Sequence, residues 1–501
     1  MDALNGLFYG LSVAFELHNL LLLLAGCLLG TLVGVLPGLG PVGAISILLP
    51  LTFQLPPAGA IIMLAGIYNG AMYGGSTTSI LINVPGEAAS AVTCLDGYAM
   101  ARHGQAGQAL GIAVFGSFIA GTVGLIGLQL IGGPLSVLAL KFGPPEYFAI
   151  ILMGFTFIIY LAQGSMIKAV LMAATGILLS LIGLDPITSE QRFTFGNIHL
   201  FEGISVVPLA IGLFGLAEVF VNLEKTVPAR VLQVRIRNMF PSKSQWLQAK
   251  WAIARGTVIG FFMGILPGGG PVLSTFMAYG VEKRVSKHPE KFGHGAIEGV
   301  AAPESANNAA ASTSFIPLMT LGIPPNVVLA VLFGAFMIHG VTPGPLLMTQ
   351  HPEIFWGVIA SMYLGNVILL ILNLPLIPLW VQVLRIPDKI LYPLIVLFCL
   401  LGAYSINNSV FDIGVMVLFG VVGYLLDKFG FEAAPLILGF VLGPMFEVNL
   451  RRSLLMSQGS FAIFVERPIT LVALIVCVIL IIIPLIQTIR KRNFCWFSHV
   501  D

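Results

Sequence analysis

The chain alternates long apolar stretches with short polar interruptions. Leu20 to Leu36, Ala109 to Ile131, Phe148 to Gln163, Ile204 to Val221, Phe355 to Leu374, Ile390 to Tyr404 and Pro468 to Ile489 are almost free of charge. A helix needs about 20 apolar residues to cross a bilayer core. The pattern therefore predicts an all-α polytopic membrane protein with roughly ten to twelve passes. The whole composition agrees, with 501 residues, 57% hydrophobic, 9% charged and a mean hydropathy of +0.97. It excludes a soluble domain and a nucleic-acid-binding surface.

Charge orients the passes. No Lys or Arg precedes Arg102, whereas Lys225 to Arg255 contains seven basic residues and no acidic one. Cytoplasmic loops carry the Lys and Arg excess, so this linker is expected in the cytoplasm, as are the loop with Lys283, Arg284, Lys287 and Lys291 and the C-terminus with Arg490, Lys491 and Arg492. Two basic flanks then enclose one apolar stretch, Gly256 to Gly280, with Leu266-Pro267-Gly268-Gly269-Gly270-Pro271 at its centre. Proline removes a donor and clashes with the preceding turn, and glycine costs backbone entropy, so a helix breaks there. A re-entrant helical hairpin satisfies both flanks, and its irregular tip requires burial in protein or a wet cavity.

The signature repeats. Gly34-Val35-Leu36-Pro37-Gly38-Leu39-Gly40-Pro41 matches Gly264-Ile265-Leu266-Pro267-Gly268-Gly269-Gly270-Pro271. The first copy has no basic flank, so its hairpin is expected to open to the outside and the second to the cytoplasm. A polar run follows each, Gly75-Ser76-Thr77-Thr78-Ser79 and Ala311-Ser312-Thr313-Ser314, preceded by Asn69 or by Asn307 and Asn308, and followed by Pro85-Gly86 or Pro324-Pro325. Paired interruptions in two inverted halves point to a transporter site near the midplane. The expected organisation is a first repeat over 1–222 (hairpin about 20–55, polar break about 69–86, scaffold helices 109–221) and a basic linker over 223–255. A second repeat follows over 256–489 (hairpin about 256–281, break about 303–325, scaffold helices 355–489), then a cytoplasmic tail over 490–501.

Glycines at the tips let backbone N–H groups approach a ligand, and helix N-termini after Pro41 and Pro271 favour an anion, most simply a carboxylate. The candidate substrate-binding set is Gly38, Gly40, Pro41, Asn69, Ser76, Thr77, Thr78, Gly268, Gly270, Pro271, Asn307, Asn308, Ser312, Thr313 and Ser314. Ser79, Asn83 and Glu304 are candidates for the coupling ion; hydroxyls suit sodium and Glu304 suits a proton. Each has a plainer alternative: Gly-Pro clusters also make kinks, and membrane Ser and Thr also bond back to their own helix. Glu87 and Asp96 are expected in a solvated loop near Arg102, and His103, His294 and His339 as interfacial residues. Five scattered cysteines offer neither a disulfide framework nor a zinc site. No Walker A, HExxH or nucleophile elbow is present, and no cofactor is expected. The first segment lacks the basic region of a cleavable signal and is expected to remain in the mature chain.

With Tyr73-Gly74-Gly75-Ser76-Thr77-Thr78 and Pro303-Glu304-Ser305-Ala306-Asn307-Asn308-Ala309 beside the paired tips, the sequence resembles the TctA family. That family is the large permease subunit of tripartite tricarboxylate transporters, and the likeness runs from about residue 10 to about residue 490. The resemblance implies a bacterial inner-membrane secondary transporter, not an enzyme. It implies a small four-helix membrane partner (TctB-like) and a periplasmic solute-binding protein (TctC-like). Citrate or another carboxylate would enter with sodium or protons. Elevator motion of the hairpin-bearing unit is the favoured version, with rocking as an alternative. The rival readings are an anion channel, a transporter of a non-carboxylate solute, and an intramembrane enzyme built on Ser76, His103 and Glu304.

Overall fold

The structure is a computed structural model that describes residues 2–36, 40–161, 165–224, 239–383 and 388–497. In chain order the first helices are α1 (Ala3–Ala14), α2 (Leu17–Val35), α3 (Gly40–Leu48), α4 (Pro57–Ile82), α5 (Ala106–Ala139), α6 (Pro144–Leu161) and α7 (Met166–Ser180). There follow α8 (Val206–Ala210), α9 (Ala217–Glu224), α10 (Lys243–Ile265), α11 (Gly270–Val285), α12 (Glu298–Thr313), α13 (Phe315–Leu321) and α14 (Val327–Ile338). The last are α15 (Leu347–Gln350), α16 (Pro352–Leu372), α17 (Ile377–Val383), α18 (Asp388–Asn407), α19 (Val410–Lys428), α20 (Ala433–Met456), α21 (Ile463–Glu466) and α22 (Pro468–Phe497). The chain is a multi-pass helical membrane protein.

Among the described residues, seven helical segments are long and apolar enough to cross a bilayer: Leu17–Val35, Ala101–Ala139, Val206–Glu224, Pro352–Leu372, Lys389–Asn407, Val410–Lys428 and Ala433–Met456. Six shorter apolar helices accompany them. The expected ten to twelve passes are more than helix length alone supports. Breaks cut several apolar stretches short: α2 stops at Leu36 before Pro37, and α10 stops at Leu266 before Pro267. The residues that follow need backbone only glycine takes readily, with φ of +82° at Gly268 and +68° at Gly270.

Local chemistry sets the other ends. Pro57 opens α4, where its missing donor costs nothing, and Asn83 closes it in the left-handed region at φ 59°. Ser242 and Gln245 form a reciprocal capping box that starts α10 at Lys243, inside the segment expected to be linker. Gly322 closes α13 at φ 71°.

Two compact units divide the chain, Met1–Leu140 with Ser205–Lys428, and Lys141–Ile204 with Phe429–Asp501. This division differs from the expected scaffold bounds of 109–221 and 355–489.

In the first unit, one packing rule occurs twice. Gly26, Gly30 and Gly34 of α2 face the backbone carbonyls of Met63, Ile67 and Ala71 on α4, so closely that a Cβ would collide with them. From the other side, a Cβ at Gly70 would stand 2.7 Å from the Cys27 carbonyl oxygen. In the second half, Gly256, Gly260 and Gly264 of α10 meet the carbonyls of Ala302, Ala306 and Ala310 on α12 in the same way. Small residues every fourth position form a flat stripe, and in lipid such backbone approach is a main source of helix association.

In the second unit, α7 and α20 approach through Gly176 and Gly439. The loop after α7 carries a two-residue antiparallel ladder, β1 (Gly183–Leu184) with β2 (Gln191–Arg192). Asp185 ties this loop to α20. Its carboxylate accepts the N–H groups of Ile187 at 2.7 Å and Thr188 at 3.0 Å, Arg451 Nη1 at 2.8 Å, and Arg192. Glu447 joins the same two guanidinium groups. Burial opposes ionisation of Asp185, but the Thr188 and Ile187 N–H groups, Arg451 and Arg192 outweigh it and hold the carboxyl well below the usual range.

Two predictions follow from this packing. Gly260→Leu forces α10 off α12 and costs at least about 1–3 kcal/mol, read as a lower Tm, whereas Gly280→Ala, with nothing within 4 Å of its added Cβ, is neutral or better. For Asp185 the folded value lies below the unfolded value of about 3.9. Its stabilisation is therefore complete above that pH and fades as pH falls toward the folded value. Asp185→Asn should lower the Tm at neutral pH, and the two proteins' Tm values should converge in acid.

Candidate functional site

The site lies in the first unit, where the two polar helices α4 and α12 meet. Neither would be tolerated facing lipid: Ser76, Thr77, Thr78 and Ser79 on α4 are buried, as is every residue from Gly299 to Thr313 on α12. Buried hydroxyls, amides and acids need partners, and these helices supply them to each other.

Glu304 is the centre of the contact. Ser76 Oγ donates to its Oε2 at 2.5 Å and Thr93 Oγ1 donates to its Oε1 at 2.5 Å. An acid from the second half is thus gripped by two hydroxyls from the first. One turn further along α12, Asn307 Nδ2 donates to Glu87 Oε1 at 3.3 Å. The other Glu87 oxygen accepts the Ala89 N–H at 2.5 Å. Ser79 donates to Ser90 at 2.9 Å, and Ser90 donates to the Glu87 carbonyl at 2.9 Å. Behind α12, Asn308 donates to Ser117 Oγ of α5 at 2.8 Å.

The break that follows α10 touches the break that precedes α14. The Gly268 N–H donates to the Pro325 carbonyl at 2.8 Å. Asn326 packs against Gly270, where an added Cβ would lie 3.1 Å from its own. It also donates to Ser314 Oγ at 3.3 Å, while its Oδ1 accepts the Leu329 N–H at 3.0 Å and caps α14. In the first half, Gly86 sits against the Gly34 carbonyl with no room for a side chain, since Gly75 Cα and Thr78 Oγ1 would each be 2.7 Å from its Cβ.

The sequence candidates are distributed as follows. Ser76, Glu304 and Asn308 belong to one hydrogen-bonded cluster and Ser79 and Asn307 to a second around Glu87, while Ser314, Gly268 and Gly270 lie at the break after α10 with Asn326 and Pro325. Gly40, with φ 57°, and the buried Pro41 open α3. Gly38 lies outside the described residues. Asn69 is half-buried, and Thr77 and Ser312 are buried. Thr78 and Thr313 donate to carbonyls of their own helices, Gly75 and Ala309, at 2.9 Å each. Asn83 is exposed, and its work is to cap α4.

The expectation that Glu87 and Asp96 are solvated is overturned. Glu87 is 6% exposed and Asp96 fully buried. Asp96 Oδ1 accepts the N–H groups of Gly293 at 2.9 Å and of Gly295 and Ala296 at 2.8 Å, and Tyr279 donates to its Oδ2 at 2.9 Å. Both acids pair with groups about two hundred residues away, which no local reading near Arg102 reveals. Glu87, Thr93, Ser90, Ser117 and Asn326 are the members that the sequence reading missed. The nearest signal was the helix breakers Pro85-Gly86 and Pro324-Pro325, which each precede one of them.

A sequence profile described as "Tripartite tricarboxylate transporter TctA family" matches residues 20–438. The chain belongs to the TctA family. It is 51% identical over 497 residues, 99% of either chain, to the "Uncharacterized 52.8 kDa protein in TAR-I ttuC' 3'region" of Agrobacterium vitis. It is 55% identical over 238 residues to the "Uncharacterized protein in TAR-II ttuC' 3'region" of the same organism, which spans 47% of this chain and 98% of that one. No solved structure matches it.

This TctA-family chain is a membrane transporter subunit and not an enzyme. Asn326→Ala removes the cap of α14 and the link to Ser314 together. It should cost about 1 kcal/mol from the cap alone, measured as a lower Tm, and Asn326→Asp, which keeps an accepting cap oxygen, should recover most of it.

Proposed function

We propose that this chain is the translocating subunit of a binding-protein-dependent secondary transporter that imports citrate-like tricarboxylates or other carboxylates by cation symport. Its setting is the bacterial inner membrane with the C-terminus in the cytoplasm, and it works with a TctB-like membrane subunit and a TctC-like periplasmic binding protein. The observation that supports this reading is the repeated packing of a glycine-lined helix on a polar one, α2 on α4 and α10 on α12, with the Gly268 N–H held by the Pro325 carbonyl.

Opposite orientation of the two units accounts for their contacts. The loop of the second hairpin, with Lys283 and Lys287, leads to Gly293–Ala296, which Asp96 holds. The base of the first hairpin, without basic residues, meets the end of α14, where Thr52 Oγ1 and His339 Nε2 are 3.1 Å apart. Hairpin one then opens to the periplasm and hairpin two to the cytoplasm, as the positive-inside rule requires.

Between the tips, the N-termini of α3 and α11 present unpaired N–H groups and partial positive charge, which suit a carboxylate without requiring a basic side chain. Ser314 and Asn326 at the second tip add polar contacts. Alternating access follows when the hairpins and polar helices move as one body against the apolar helices, in an elevator motion.

The test is uptake of labelled citrate and a panel of other carboxylates into cells expressing the chain with both partners, each partner omitted in turn. Saturable uptake that needs the binding protein is expected, and passive flux without the partners would instead make the chain a channel. Gly270→Ala strains a backbone at φ 68° by about 1–2 kcal/mol and should weaken apparent affinity about tenfold.

A further inference from the structure

The buried cluster between α4 and α12 holds two acids and no balancing cation. Glu87 and Glu304 are 6% and 1% exposed, and neither forms an ion pair among the described residues. The titratable groups that face them are Tyr68 and Tyr73 of α4 and Cys94 beside Thr93, none of which is a cation. On the helices packed against α12, Arg255 of α10 is committed to Glu282 of α11 through hydrogen bonds of 2.8 and 2.6 Å. Asp96 is satisfied by three N–H groups and the Tyr279 hydroxyl. Two neighbouring carboxylates in such an interior do not both stay charged without a bound cation or a proton.

The pair is built by adjacent positions on two helices. On α4, Gly75 leaves room for Glu87, whose Cγ would be 2.8 Å from an added Cβ, and the next residue, Ser76, holds Glu304. On α12, Glu304 and Asn307 stand three residues apart on one face. A further atom points to a missing ligand: Asn307 is fully buried and donates to Glu87, yet its Oδ1 has no partner. An orphaned buried acceptor beside a carboxyl is what a proton on that carboxyl would satisfy, after a half-turn of the amide.

Hydrogen bonds join the groups around the two acids. The Ser76–Glu304, Thr93–Glu304 and Ser79–Ser90 oxygens are 2.5, 2.5 and 2.9 Å apart, the separations of O–H···O bonds, in which a proton is the shared particle. We propose that Glu87 and Glu304 form the coupling site of this transporter and share one exchangeable proton, with Asn307 Oδ1 as the acceptor for it on the Glu87 side. Binding adds H⁺ to one carboxylate to give a carboxylic acid, and release on the other side of the membrane restores the anion. Glu87 follows Gly86, which abuts Gly34 below the first tip, so the proton's arrival is felt where the first hairpin meets its helix. The inference rests on the transporter reading and names its coupling ion.

Two measurements test it. The purified full-length chain in lipid nanodiscs is taken through pH jumps and followed by infrared difference spectroscopy at the carbonyl band of protonated carboxyls. A titrating band is expected that disappears in both Glu87→Gln and Glu304→Gln and persists in Asp412→Asn. Proteoliposomes containing the complete complex then compare carboxylate accumulation under an imposed pH gradient with carboxylate exchange. The ratio of accumulation to exchange should fall in both Gln variants by about tenfold per pH unit for one coupled proton. A band unchanged in both variants, or accumulation that follows a sodium gradient alone, overturns the proton site. A variant-sensitive band in a protein that exchanges no carboxylate supports the proton site and overturns the carboxylate reading.

Discussion

Backbone contact of α2 with α4 and of α10 with α12 is the constraint on which the rest of the first unit depends. Glycines at intervals of four on α2 and α10 bring carbonyls of α4 and α12 within reach of a Cα. Lipid gives no hydrophobic drive for helix pairing, so this fit must supply it by van der Waals packing. Once Gly264 is seated, the Leu-Pro-Gly break that follows it is held against Pro325 through the Gly268 N–H.

With α2 and α10 seated, α4 and α12 present their polar faces to each other. The hydroxyls of Ser76 and Thr93 on Glu304, and the amide of Asn307 on Glu87, are two hydrogen-bonded links that join the two halves of the chain at the seam. Such a network is costly if one partner is lost, since the remaining group stays buried and unpaired. It is therefore a structural joint between the two halves of the chain.

Much of this was legible in the sequence, for physical reasons that are local. Pro37, Pro267 and the glycines beside them break helices wherever they stand, so the ends of α2 and α10 were readable. The hydroxyl runs at 76–79 and 312–314 were readable as groups that lipid would not accept. Family membership followed from the same motifs. Glu87 was not readable, because its burial depends on Asn307, 220 residues away. The boundaries of the expected scaffold were equally hidden: α5 looks like an ordinary apolar span, yet Gly116 and Gly124 pack it against Ser305 and Ala309 of α12. Asn83, chosen for its polar chemistry, also has a local conformational role, since it closes α4 in the left-handed region.

The proposal turns on two like halves that face opposite sides of the membrane. It is tested most directly by thiol labelling in a background without native cysteines, with one cysteine at Gln54, exposed at the base of the first hairpin, or at Lys287, exposed at the base of the second. A membrane-impermeant reagent added to intact spheroplasts should label Gln54→Cys alone, and Lys287→Cys should react only after the membrane is opened. Labelling of both positions from the same side would contradict the inverted arrangement and the alternating-access mechanism built on it.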